Sequence, residues 1–369
     1  MQNATHLMLA QANHDERSEQ LFVRDCKTHL GTAETQFAQS LDNGQAASGS
    51  DAALFDRLNE TAGFRHWLSA RRASQELLWD VVGACVERQA NDLAETAESL
   101  GEAGSLTQDR KFSCPEHLRS HDVHLMPGGY GKDDGGFYQG AVMDRGGAVY
   151  MLGRNGGFLN DRRGHSAASH LLYRFPDFAP ERILELGCGI GSSLVPMAGY
   201  FPDAEAHGLD VGAGILRYAR ARAQGLGTVV HLQQGDATAT PYADGSFDLV
   251  FSCVVLHELE PGTIPALMAE CHRLLRPGGV VLHLEVPQRY DDLGAWERVR
   301  ALIEARYNNE PNWIEATSAD YSALLTDAGF RDIAVGFQRA TDCARRGNNG
   351  FGTESEGVFR SWAVMSARK

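Results

Sequence analysis

The chain lacks any stretch approaching the roughly 20 consecutive apolar residues that a bilayer-spanning helix requires, so a membrane protein is not expected. Its first residues, Met1-Gln2-Asn3-Ala4-Thr5-His6, lack the basic start and apolar run of a secretory signal, which points to a cytoplasmic location. Seven cysteines are present but no Cys-x-x-Cys, and in a reducing compartment none needs a disulfide partner. Positive charge is also short: 34 Lys and Arg stand against 48 Asp and Glu, a net charge of −14. Nucleic-acid binding depends on a concentrated basic surface that displaces counterions, so a nucleic-acid partner is not expected. No internal repeat and no separate peptide-binding module is visible, which leaves a small molecule as the expected partner.

What is present is ample apolar material, 43% of 369 residues, more than one ordinary domain needs. Three segments are expected: a helical N-terminal extension over 1–105, a Gly- and aromatic-rich cap over 106–164, and a catalytic domain over 165–369. Within the first, 14–41 is polar with scattered apolar residues and 43–50 reads as a flexible link. Phe64, Trp67, Leu68, Leu77, Leu78, Val81, Val82, Cys85 and Val86 recur at three-to-four spacing, the apolar stripe of a long helix reaching about Leu100. That stripe packs on the core, forms a homodimer contact, or covers a site as a lid. In the second segment, Ala148-Val149-Tyr150-Met151-Leu152 reads as a strand between glycine clusters, followed by a helix over 166–174. Cys114, His117, His121 and His124 have spacings that suggest metal ligands, but packing or solvation is the favoured reading and no metal is expected.

The third segment carries the chemistry. The apolar run Ile183-Leu184-Glu185-Leu186 enters Gly187-Cys188-Gly189-Ile190-Gly191, a strand leading into a turn where glycine lets the backbone approach a ligand closely. A helix start beyond it would offer unpaired N–H groups, so a nucleotide-type cofactor is the natural occupant. The turn alone fits a dinucleotide as well. About twenty residues on, a second strand ends in Asp210, placed to hold ribose hydroxyls. A third strand over 229–234 leads to Gly235-Asp236-Ala237, a fourth spans Ser246-Phe247-Asp248-Leu249-Val250-Phe251-Ser252, and Leu274-Leu275-Arg276-Pro277-Gly278-Gly279 ends a helix before a fifth over 280–286.

This succession resembles the class I S-adenosylmethionine (SAM) dependent methyltransferases over roughly 165–369. The resemblance implies an α/β, doubly wound, seven-stranded Rossmann-like sheet whose last strand is antiparallel. It also implies SAM as cofactor, held by Glu185, Gly187, Gly189, Gly191, Asp210 and the adenine-recognising pair Asp236 and Ala237. Ser252 and Cys253, at the carboxyl end of the fourth strand, should face the methionine portion. Final strands are expected over 333–337 and 358–365.

For catalysis, His257 is a candidate general base, since its ordinary pKa lies nearest neutrality. Tyr138 and Tyr173, with Tyr307 and Trp313, are candidates to pack around the sulfonium by cation–π attraction. Asn155, with Asn160, Arg162 and Arg163, is a candidate to orient an amide, hydroxyl or carboxylate. The leading expectation is methyl transfer to a small-molecule N, O or C nucleophile. Two alternatives remain open: an intramolecular cyclisation of SAM to azetidine-2-carboxylate with release of methylthioadenosine, and a noncatalytic SAM-binding partner. A dehydrogenase fits less well, because the second mononucleotide-binding half is missing.

Overall fold

A computed structural model describes residues 5–42, 50–109, 111–310, 312–347 and 350–369. Most of the expected link at 43–50 therefore lies outside the described residues. Four helices open the chain: α1 (His14–Asp42), α2 (Asp51–Asn59), α3 (Ala62–Glu87) and α4 (Ala90–Ser99). The segment expected only to be polar is thus one helix, α1, held down by buried Val23 and Leu41. The long stripe breaks between Glu87 and Ala90 into two helices. The α3 start is fixed by Thr61, whose side chain accepts from Phe64 N.

A short strand β1 (Ser105–Thr107) precedes the helices α5 (Glu116–Arg119), α6 (Tyr138–Tyr150) and α7 (Arg162–Arg174). The strand expected at Ala148-Val149-Tyr150-Met151-Leu152 is instead the end of α6 and the turn after it. Burial overrides local β preference here. α6 is wedged between α3 and the later helix α9 (Ala213–Gly225), with Ala141, Val142 and Val149 sharing a core with Leu78, Val82, Ile215 and Tyr218. Close approach requires small residues: a Cβ on Gly140 would lie 2.3 Å from Tyr218 Cβ, and one on Gly146 2.3 Å from Trp79 Cζ3.

The remaining chain alternates β2 (Arg182–Leu186), α8 (Leu194–Tyr200), β3 (Glu205–Asp210), α9, β4 (His231–Gln234), β5 (Phe247–Cys253), α10 (Ile264–Leu274), β6 (Leu275–Glu285), α11 (Ala295–Tyr307), α12 (Trp313–Ser318), α13 (Tyr321–Asp327), β7 (Arg331–Arg339), β8 (Phe351–Gly352) and β9 (Ser361–Arg368). Among the described residues they form one nine-stranded sheet in the order β1-β4-β3-β2-β5-β6-β9-β7-β8. The seven expected strands are its centre, and two short edge strands, β1 and β8, extend it. β1 through β6 pair in parallel, while β9 is antiparallel to both β6 and β7.

Period-two alternation loads both faces of the sheet. Ile183, Leu249 and Phe251 pack under α7, α8 and α9 with Leu171, Met197 and Leu216, whereas Leu184, Val250 and Val281 pack under α10 and α13 with Leu267, Met268 and Leu325. Full burial of each such side chain contributes about 1.5–3 kcal/mol. The α3 stripe divides between two partners. Leu78, Val82 and Val86 join α6 and α9, while Phe64, Trp67 and Leu68 join Trp296, Val299 and Ile303 of α11. The N-terminal helices are thereby brought over the carboxyl ends of the strands. Among the described residues, no helix is long and apolar enough to cross a membrane.

Candidate active site

β2 runs out of the sheet into a turn with φ of 65° at Gly187, 49° at Gly189 and 74° at Gly191, a region costly for any other residue type. Space is also short, since a Cβ on Gly187 would lie 2.6 Å from Val255 Cγ2. Asp210, at the end of β3, fastens this turn to its neighbour: its Oδ2 accepts from Gly189 N at 2.8 Å and its Oδ1 from Gly212 N at 2.9 Å. Burial raises the Asp210 pKa, and these backbone donors oppose the rise. After β4, Asp236 Oδ1 accepts from Thr238 N at 2.8 Å, beside the buried Ala237.

These residues wall one end of a cavity of about 830 Å³ that also reaches Cys253, Val254 and Val255 beyond β5. Val254 holds a φ of 56°, its N–H donating to Leu284 O at 2.7 Å. At the far end the walls are Lys27 of α1, Arg71 and Gln75 of α3, Tyr150 of α6, and Trp296 and Arg300 of α11.

Between the two ends lies a chain of charged groups. His124, held at a φ of 56°, places Nε2 3.1 Å from Glu258 and Nδ1 3.0 Å from Glu310. Its carbonyl accepts from Gln75 and from Trp79 Nε1 at 2.8 Å, so helix α3 fixes the strained residue. Tyr130 donates its hydroxyl to Glu258 Oε1 at 2.9 Å. His257 Nδ1 lies 2.8 Å from Glu285 Oε2, while Glu285 also accepts from Leu256 N and Val286 N. Burial would lower the pKa of His257, but Glu285, with Glu258 and Glu310 behind it, raises it to about 9. The same contest raises His124 well above its ordinary value. Glu258, which burial would raise, is held low chiefly by His124.

A model of the methyltransferase domain matches residues 183–279, from the first residues of β2 through the glycine turn to the start of β6. The chain is 42% identical over 103 residues to malonyl-[acyl-carrier protein] O-methyltransferase of Methylococcus capsulatus, an alignment covering 27% of this chain and 35% of that protein. The domain over 183–279 is of the class I SAM-dependent methyltransferase kind. The chain is also 30% identical over 154 residues to phosphoethanolamine N-methyltransferase 1 of Arabidopsis thaliana, covering 42% of this chain and 29% of that one. Among solved structures, phosphoethanolamine N-methyltransferase 2 of Haemonchus contortus in complex with SAM aligns at 24% identity and a TM-score of 0.39, over 51% of this chain and 41% of that chain. The chain spans about a third of the length of the two curated relatives.

SAM is the cofactor of this methyltransferase domain, and the residues present fit it. The glycine turn leaves backbone open to the cavity, and Glu185 lines that cavity, 2% exposed, with Oε2 unpartnered. Burial pushes the Glu185 carboxyl well above the usual range, against the lowering effect of the nearby Arg163.

Of the expected cofactor residues, Glu185, Gly187, Gly189, Asp210, Asp236, Ala237 and Cys253 line this cavity. Gly191 closes the turn, its N–H donating to Cys188 O. Ser252 does not face it; the side chain bonds His283 Nδ1 at 2.8 Å across the strand pair, because alternate residues of β5 point to opposite faces. Three of the four catalytic candidates lie outside the cavity wall. Tyr173 is 40% exposed on α7. Tyr138 sits beneath the Lys132 ammonium, 5.2 Å from its ring centre, and abuts Gly83 of α3. Asn155 is buried but spends its amide on Asn160 Oδ1 at 2.6 Å. His257 does line the cavity, yet a group with a pKa of about 9 is already protonated at neutral pH and is unsuited to removing a proton. Arg162 is drawn away by Asp342, whereas Asn160, Arg163, Tyr307 and Trp313 do reach the wall. Tyr130, Glu258 and Glu310 escaped sequence reasoning as site residues, and His124 entered it only as a metal candidate. Their contacts span up to 186 residues of chain, so no local spacing signals them.

Proposed function

We propose that this protein transfers a methyl group from SAM to a nucleophilic N, O or C atom of a small molecule. The observation that carries this reading is the continuity of one cavity from the glycine turn and Asp210 to the helical cap. Its volume, about 830 Å³, lies toward the upper part of the range of roughly 300–1,000 Å³ usual for ligand pockets and suits a cofactor together with a second small molecule. Bound SAM supplies an electrophilic methyl carbon on a sulfonium. The protein's part is to hold Asp210, Asp236 and the turn against the cofactor, to place the acceptor between the β5 end and the cap, and to exclude water.

Segments 1–105 and 106–164 act as that cap, α1 and α3 contributing Lys27, Arg71 and Gln75 and the second segment contributing Tyr130 and Tyr150. Where the acceptor loses a proton, Glu258 is the better placed recipient. It is kept ionised by its neighbours and lines the cavity, and its Oε2 has no partner. Tyr138, Asn155 and Tyr173 are not at the wall, so none of them supports a reaction of SAM with itself, which favours a two-substrate reaction.

The test is incubation with SAM and a panel of amines, carboxylates, thioesters and phospho-amines, followed by mass spectrometry. Acceptor-dependent S-adenosylhomocysteine together with a product heavier by one methylene supports the proposal. Methylthioadenosine formed without any acceptor would replace it with the cyclisation.

A further inference from the structure

Beyond the cofactor end of the cavity the charged side chains fall into two groups, and neither balances. At the cap end Lys27, Arg71 and Arg300 stand with Glu34 and Glu304. Arg71 pairs with Glu304, and Arg300 with both acids. Lys27 is left over: among the described residues no carboxylate pairs with it, and its Nζ donates to Gln75 Oε1 instead. In the middle of the cavity Glu258, Glu285 and Glu310 stand with His124 and His257. Both imidazoles are held protonated, so one negative charge is in excess, and a neutral imidazole would only enlarge it.

The second imbalance is visible atom by atom. Tyr130 and His124 take Glu258 through its Oε1, and His124 and Asn308 take Glu310 through its Oε1. The two Oε2 atoms are buried without a hydrogen-bond partner among the described residues, and both acids line the cavity, the Glu310 side chain being 2% exposed. The leftover groups are also those that folding strains. Burial, with Arg71 beside it, lowers the Lys27 pKa to about 8, and burial raises that of Glu310. Other charges on the wall are accounted for: Arg163 stands at the cofactor end, where Cys253 and Glu185 act on it, and Arg72, Arg154, Glu260 and Glu297 are exposed to water.

The two imbalances meet at one tyrosine. Lys27 Nζ lies 5.2 Å from the centre of the Tyr150 ring and the His124 ring 5.9 Å from it. Gln75 joins them, accepting from Lys27 and donating to the His124 carbonyl. Buried charge left uncompensated is costly, and one small ligand with a positive and a negative end would offset both.

We propose that the acceptor is a small amine that also carries an anionic group, a carboxylate or a phosphate, with its ammonium at the free Oε2 atoms of Glu258 and Glu310 and its anion at Lys27. The inference rests on the methyl-transfer reading and narrows its nucleophile to nitrogen. The ammonium gives one proton to Glu258. The freed nitrogen lone pair then forms a bond to the methyl carbon as the carbon–sulfur bond breaks, and sulfur keeps that electron pair. The products are the methylated ammonium and S-adenosylhomocysteine, and the proton on Glu258 passes to water.

The experiment is calorimetry of the full chain saturated with S-adenosylhomocysteine. The probes are ω-amino carboxylates and aminoalkyl phosphates of two to four carbons, each beside the matched plain amine and the matched plain anion. The two-ended probes should bind on the order of 10- to 100-fold tighter than either match, the worth of a charge-assisted bond. The better of the two series tells carboxylate from phosphate. Lys27→Met should erase the advantage over the plain amine, Lys27→Arg should restore part of it, and Glu310→Gln should narrow the advantage over the plain anion. S-adenosylhomocysteine affinity, measured separately, should be unchanged in all three variants and reports that they are folded. Plain amines or anions that bind as tightly as the two-ended probes would overturn the proposal. So would a series in which nothing binds, or variants that weaken every probe and S-adenosylhomocysteine alike. Methyl transfer to an acceptor lacking either charge would overturn it while retaining the methyl-transfer reading, whereas wild-type protein that fails to bind S-adenosylhomocysteine would remove that reading and this inference with it.

Discussion

His257 and Glu285 form a buried ion pair, Nδ1 to Oε2 at 2.8 Å, in which each side chain is about 5% exposed or less. The carboxylate also takes two backbone N–H groups, so the pair joins the end of β6 to the loop after β5. The His257 pKa rises from 6.5 to about 9 on folding. A raised cationic pKa contributes stability that is complete below the unfolded value and is lost as pH climbs through the folded one. The Glu285 pKa is lowered, so its contribution is present above its ordinary 4.5 and is lost as pH falls through the depressed value. His257→Gln should therefore cost about 3–5 kcal/mol at pH 6, the penalty of stranding a buried carboxylate. The difference from wild type should shrink across pH 6.5 to 9. Urea titrations at pH 6, 8 and 10 measure it, and a difference independent of pH would refute the charged-pair assignment.

Gly187 and Gly191 share a left-handed backbone but not a neighbourhood. A Cβ at 187 meets Val255 Cγ2 at 2.6 Å, whereas at 191 the nearest atom is Val195 Cγ2 at 3.9 Å. Gly191→Ala should lose only the conformational cost, about 1–2 kcal/mol. Gly187→Ala should add overpacking of about 1–3 kcal/mol and push the turn into the cavity. Thermal denaturation and SAM calorimetry together should rank Gly187→Ala as the more damaging on both counts.

Asp210 holds the turn and, on the proposed reading, also the ribose. Asp210→Asn keeps one acceptor oxygen for the Gly189 or Gly212 N–H groups but removes the charge. SAM affinity should fall by on the order of 10- to 100-fold, the worth of hydrogen bonds to an ionised group, as read by calorimetry. Because burial already raises this carboxyl, binding should also weaken as pH drops toward its pKa. Unchanged affinity would remove Asp210 from the ribose site.

The contrast between these residues and the catalytic candidates explains what was legible in the sequence. The glycine turn, Asp210 and Asp236 each sit where a strand ends, and strand, turn and acid are contiguous in the chain, so local pattern locates them. The positive φ at Gly187 and Gly189 is a backbone demand that composition announces directly. Orientation within a helix is different: the start of α7 lies at Arg162 rather than at the expected 166, and its packing leaves Tyr173 outside. The strand read at 148–152 failed for a related reason, because the burial that makes α6 helical comes from α3 and α9. The middle of the site is less legible still, since His124 meets Glu258 and Glu310 only after the sheet has formed.

Tyr130 and Tyr173 should separate the wall of the site from its surroundings. Tyr173→Phe alters an exposed hydroxyl, so stability, SAM affinity and turnover should stay within about 0.5 kcal/mol of wild type. Tyr130→Phe removes a partly buried hydrogen bond to the Glu258 carboxylate and should cost about 1.5–3 kcal/mol of stability. That bond is among the contacts holding the Glu258 pKa down, after those from His124 and His257. Its loss raises the folded pKa of Glu258, so the stability that depends on an ionised Glu258 disappears at a higher pH than in wild type. If Glu258 receives the acceptor's proton, the acid limb of the kcat/KM profile should move upward in the same direction. Parallel displacement of the two limbs would tie the network to turnover, whereas a shift in the stability limb alone would leave Tyr130 and Glu258 as a structural pair.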